Sequence, residues 1–153
     1  MEFLQTIEQL GPVRLLKSSF LAYPVVNTLH IAAIGALFTG VVLMDLAVLG
    51  AIRSVPREKF VALLRRVALG AFVAAAFTGL ALFSIQATSY ARNPAFLVKL
   101  CVIGLAALNF LAFFILSRRS PNGETSTATR FCAVASILLW SGVLLCGRLI
   151  GFV

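Results

Sequence analysis

The chain has 153 residues, 61% of them hydrophobic and only 12% charged, with a mean hydropathy of +1.03. Soluble domains carry about twice that share of charge, so the composition excludes an ordinary soluble domain and indicates an integral membrane protein of one domain, residues 1–153. The formal net charge of +8 sits in loops and at the ends of apolar runs, without a basic helix or a nucleic-acid module, so it reads as membrane topology and lipid-headgroup contact rather than nucleic-acid binding.

Residues 1–18 are mixed. Phe3, Leu4, Ile7 and Leu10 recur at helical spacing, Gly11-Pro12 interrupts, and Val13, Leu15 and Leu16 follow beside Arg14 and Lys17. This pattern predicts an interfacial amphipathic segment lying on the bilayer, with a disordered tail as the alternative. Glu2 and Glu8, and the lack of a basic or apolar run before residue 19, do not match a cleaved signal, so the first span is expected to be an uncleaved anchor. A helix crosses the ~30 Å hydrocarbon core in roughly 20 residues. Four such spans are expected, at about 24–52, 60–86, 95–116 and 130–150. Pro24 fits a first helical turn. The connectors are a basic stretch at 53–59, a polar turn at 87–94 closed by Asn93-Pro94, and a loop at 117–129. The fold class is all-α, a transmembrane four-helix bundle with a short N-terminal interfacial segment.

Four spans place both termini on one side. That side carries Arg14, Lys17, Arg92, Lys99 and Arg148. The other carries Arg53, Arg57, Lys59, Arg65, Arg66, Arg118, Arg119 and Arg130. The excess of basic residues places the 53–59 and 117–129 loops in the cytoplasm and both termini outside, in the periplasm of a bacterial inner membrane.

His30 is the only histidine. An ionisable group inside a span is a functional candidate by default, and an imidazole is the best ligand here for a metal or haem. Asn27 lies one turn earlier on the same face. Gln86, Lys99 and Arg148 bring a polar group from each remaining span to the outer half. These five residues form the candidate cofactor site, with His30 as the candidate metal ligand. Lys99 either snorkels to the headgroups or points inward to an anionic group such as a haem propionate or a lipid phosphate. Asp45, about 22 Å further along the same helix, is too far to orient His30. It is expected to pair with Arg65, Arg66, Arg118 or Arg119. Trp140 is expected to pack in the core. Phe-Thr-Gly occurs at 38–40 and 77–79 and reads as a packing device, since glycine permits close helix approach and threonine bonds its own backbone. Cys101, Cys132 and Cys146 form no CxxC and read as small apolar side chains within spans. No Ser-His-Asp set, paired carboxylates, phosphate-binding glycine loop or HExxH motif is present, so the chain is not expected to be an enzyme on its own.

The runs YPVVNTLHIAAIGALFTGVVLMDLAVLG (23–50) and FTGLALFSIQATSYARNPAFLVKL (77–100) resemble an uncharacterised family of small bacterial membrane proteins. That family is distantly similar to the copper-resistance protein D membrane domain. The shared pattern is an early histidine, a Thr-Gly in the next helix, and Lys-Leu followed by small residues and an asparagine. Here these are His30, Thr78-Gly79, Lys99-Leu100 and Asn109. The resemblance spans about residues 20–116 and implies a metal- or redox-linked role near the periplasmic face.

Three functions follow as expectations. The first is a cofactor-binding module holding b-type haem or a quinone at His30. The second is a copper or small-solute permease component, with His30 and Cys101 or Cys146 taking Cu(I). The third is an accessory subunit, either as a homo-oligomer or within a larger membrane complex.

Overall fold

A computed structural model of the chain describes residues 2–118 and 126–152. Among these residues the regular elements are seven α-helices: α1 (Glu2–Glu8), α2 (Gly11–Ser18), α3 (Ala22–Leu49), α4 (Arg57–Ile85), α5 (Ala87–Arg92), α6 (Pro94–Arg118) and α7 (Thr127–Leu149). Helices α3, α4, α6 and α7 are each long and apolar enough to cross a membrane. The architecture is that of a multi-pass, all-α membrane protein, and all four expected spans are present.

Two expectations about connectors need correction. The 87–94 connector is mostly the short helix α5 rather than a turn. Both flanks of the 117–129 loop are helical, and its residues 119–125 lie outside the described residues. The N-terminal segment is two helices, α1 and α2, with no buried residue in either.

Local chemistry sets the helix ends. Gly50 closes α3 at φ 84°, the left-handed region that only glycine enters at little cost. Its N–H donates to Ala47 O and the Ala51 N–H donates to Leu46 O, a Schellman closure. The Arg130 guanidinium donates to Leu49 O at 3.3 Å, bringing a cation to the negative end of α3. Asn93 caps α6: its Oδ1 accepts the Phe96 N–H at 3.1 Å, and Pro94 follows as the first helical residue. Ser126 caps α7 by accepting the Thr129 N–H at 3.2 Å.

Helix α3 packs against α4 on one side and α7 on the other, and α6 packs against α7. Among the described residues the backbones of α4 and α6 stay apart, and the two helices meet through the stacked rings of Phe83 and Phe96 near the end of the bundle where α3 begins. The spans therefore run in the order α4, α3, α7, α6, with a cleft between the outer two. Lipid offers apolar side chains as good a solvent as another helix does, so association rests on close contact and hydrogen bonds. The contacts fit that rule. Gly40 of α3 meets Ala68 of α4, where an added Cβ would lie 3.4 Å from the alanine methyl. Leu37, Val41 and Ala68 form the buried core, and Met44, Ala71 and Trp140 pack onto it. Trp140 also meets Phe72 edge-on, with ring centroids 6.5 Å apart. The expected core role of Trp140 therefore holds. Asn109 of α6 donates to Cys132 O of α7 at 2.9 Å.

Helices α1, α2 and α5 gather at the end of the bundle where α3 begins and α7 finishes, here called the terminal end. The Thr88 N–H of α5 donates to Glu8 Oε1 of α1 at 2.8 Å. This bond holds the Glu8 carboxyl below its ordinary range, and the Lys17 charge adds to the effect against a smaller opposing cost of burial. Phe83, Tyr90 and Phe96 stack into one aromatic cluster joining α4, α5 and α6.

Candidate functional site

His30 lies eight residues into α3, about 12 Å from the terminal end of the helix. Thr78 lies seven residues before the end of α4, at a matching depth. The His30 Nδ1 and Thr78 Oγ1 are 2.8 Å apart. Thr78 spends its single proton on its own helix, donating to Ala74 O at 2.7 Å with Ala75 O at 3.3 Å. With that proton on Ala74 O, the bond network assigns Thr78 as acceptor and Nδ1 as donor, the Nδ1–H tautomer with Nε2 as the acceptor or ligand atom; the reverse assignment would take the proton from Ala74 O to Nδ1.

Gly79 makes room for the ring. A Cβ at that position would lie 3.0 Å from His30 Cε1, tighter than most such contacts, so the ring would have to give by a few tenths of an ångström. The second Phe-Thr-Gly thus supplies both the partner and the space for the only histidine. The first supplies Gly40, which admits Ala68 from the opposite direction. The packing role expected of the tripeptides holds for both glycines, but Thr78 does more than bond its own backbone.

Lys99 of α6 is half-buried and lies against α7 near its end: its Nζ would be 3.4 Å from a Cβ on Gly147.

The other three expected members stand apart. Asn27 is half-buried one turn nearer the terminal end and makes no hydrogen bond among the described residues. Gln86 is exposed at the α4–α5 junction. It lines a separate pocket of about 240 Å³ with Lys17, Tyr23 and Tyr90. Burial pushes the Tyr90 phenol above its ordinary range there, and Tyr23 adds to the shift. Arg148 is exposed, with its guanidinium over the Phe152 ring at 4.8 Å. The reason is depth. Gln86 follows the last residue of α4 and Arg148 is next to the last of α7, so both lie roughly two turns above His30. The sequence shows that each span carries a polar residue near this end, but not that two of them sit at the rim.

Thr78, Gly79 and Gly147 are the site residues that the sequence did not single out for this role. The repeated tripeptide was the available signal, because its second copy falls at the same depth as His30 once the helices run antiparallel.

Of the four arginines expected to pair with Asp45, Arg65 and Arg66 are exposed and do not pair with it, and the side chain of Arg118 and all of Arg119 lie outside the described residues. The three cysteines lie in spans, Cys132 buried, Cys146 half-buried and Cys101 exposed. Among the described residues no three His, Cys, Asp or Glu side chains come together as a metal site.

No family model, curated protein or solved structure matches this chain.

Proposed function

We infer that the protein is a bacterial inner-membrane module whose outer, periplasmic half holds a small redox ligand between His30 and Lys99. The observation that carries this reading is the commitment of Nδ1 to Thr78. It orients the ring and leaves Nε2 available, with the half-buried Lys99 as an ammonium in the same half of the bundle. A polar pair at that depth is expensive to keep in lipid unless it has work to do. The resemblance to the copper-resistance D membrane domain supports the same side of the membrane and the same class of chemistry.

A quinone head group fits both side chains. Lys99 is a donor without acceptor capacity and suits a quinone carbonyl, whereas His30 Nε2 is an acceptor and suits a quinol hydroxyl. The site thus recognises the oxidised form through the lysine and the reduced form through the histidine, and the isoprenoid tail of such a ligand is at home in the bilayer. A b-type haem is the second reading. A ligating histidine ordinarily donates its other ring N–H to a fixed acceptor, as His30 does to Thr78, and Lys99 would then lie beside a propionate.

The test is purification from native membranes in mild detergent, followed by solvent extraction and an optical spectrum. Quinone should co-purify in stoichiometric amount and be lost in both His30→Leu and Lys99→Met. A Soret band that disappears in His30→Leu would instead name haem as the occupant. Protein that carries neither, and binds no added quinone, overturns the reading.

A further inference from the structure

The opposite half of the bundle holds a second arrangement, independent of His30. The gap between α4 and α6 is a cavity of about 230 Å³, floored by α3 and α7. Phe72, Phe110, Phe113, Phe114 and Trp140 line it, and so does Asp45. Asp45 is only 8% exposed, and its Oδ2 has no hydrogen-bond partner among the described residues. Ser136 lines the same cavity, and among the described residues no arginine pairs with the carboxyl. Arg65 also lines the cleft but is exposed, with its head free to reach the membrane surface.

A carboxylate buried without a counter-charge costs several kcal/mol in lipid, and one oxygen left without a donor adds to that cost. The walls around it are aromatic faces, which attract cations and are indifferent or hostile to anions. An acyl chain would fill the cleft but leave Asp45 uncompensated. An anionic headgroup would be repelled by it. A compact apolar cation satisfies every wall at once: its charge meets Oδ2, its methyl groups meet the ring faces, and its aryl or alkyl part occupies the remaining volume.

The geometry points to a lipophilic-cation site in this cleft, taking an aryl- or alkyl-substituted quaternary ammonium from the bilayer, with Asp45 as counter-ion and Trp140 as the principal aromatic contact. Entry is lateral, between α4 and α6, whose backbones stay apart in this half of the bundle and whose Phe83–Phe96 stack lies at the other end.

Trp140 is the only tryptophan in the chain, so its emission reports on the cleft without a label. The full chain in nanodiscs is titrated with benzyltrimethylammonium and, in parallel, with its uncharged carbon isostere, neopentylbenzene. The expected result is a saturable change in Trp140 emission with the cation and binding of the isostere weaker by about tenfold or more. Asp45→Asn, checked for native helicity and monodisperse elution, should bring the cation down to the level of the isostere. Arg65→Ala should leave cation binding intact or strengthen it. Equal binding of the two probes to the unaltered protein overturns the proposal in favour of a lipid-filled apolar groove. So does Asp45→Asn protein that binds the cation undiminished. Dependence of binding on Arg65 would mark the cleft as an anion or headgroup site and overturn it equally. The isostere comparison needs no variant, so the test stands even if Asp45→Asn fails to fold.

Discussion

At the scale of single residues, the His30 site depends on one hydroxyl. Thr78 accepts from His30 and donates to Ala74, so it holds the ring in one tautomer and joins α3 to α4 in the same bond. Thr78→Ser keeps that hydroxyl, while Thr78→Val keeps the shape and loses it. The valine variant should lose about 1 kcal/mol of stability, the usual worth of such a bond between spans, and the serine variant much less. Unfolding in mixed micelles measures the difference. Quinone retention should fall with the valine variant as well, because a ring free to rotate no longer presents Nε2. His30 was legible as the centre of interest because an imidazole in an apolar run is rare in any span. Its partner was harder to see. A threonine inside a helix usually bonds its own backbone, and Thr78 does so too. The second role arises only because α4 returns antiparallel and places Thr78 at the depth of His30, which is a tertiary fact.

At the scale of elements, the helix ends follow from short signals. Gly50, Asn93-Pro94 and Ser126 each stop or start a helix by a bond that the sequence announces. Ser126→Ala removes the acceptor for the Thr129 N–H. It should cost about 1 kcal/mol and speed amide exchange in the first turn of α7, leaving the far end unchanged. The α5 helix was not legible. Residues 87–92 are polar enough to pass for a turn, and they become helical where Ala87 is buried and Tyr90 packs, tilted, against the stacked pair Phe83 and Phe96. The tether from α1 to α5 gives a pH dependence of known sign. The Glu8 carboxyl is held below its ordinary value of 4.5 by the Thr88 N–H, so the folded state prefers the ionised form. The docking of α1 is therefore fully supported above about pH 4.5 and weakens as pH falls through the depressed value. The protection of the Thr88 amide, measured relative to its intrinsic exchange rate at each pH, should fall on acidification in the native chain, and Glu8→Gln should remove most of that dependence.

At the scale of the whole molecule, four apolar helices are laid out in an open order, α4, α3, α7, α6, and not as a closed square. Composition and span length made the all-α membrane class legible, because few other structures bury so much apolar chain with so little charge. The order of the helices was not legible, since every span is apolar on most of its surface and none declares which face meets a neighbour. The open order gives the protein its two distinct polar features. One is the His30–Thr78–Lys99 group in the half toward the terminal end, and the other is Asp45 in the aromatic cleft of the other half. Under the proposed function, His30 is held through Nδ1 and meets the reduced form of a quinone through Nε2. Because the chain has one histidine, ¹⁵N-histidine labelling gives a spectrum of that residue alone. The measurement is the pair of ring-nitrogen shifts in bilayers, before and after adding a short-chain quinol. The account predicts a protonated Nδ1 that stays put and an unprotonated Nε2 whose resonance moves on addition. An Nε2–H tautomer, or two nitrogens indifferent to the ligand, would contradict it.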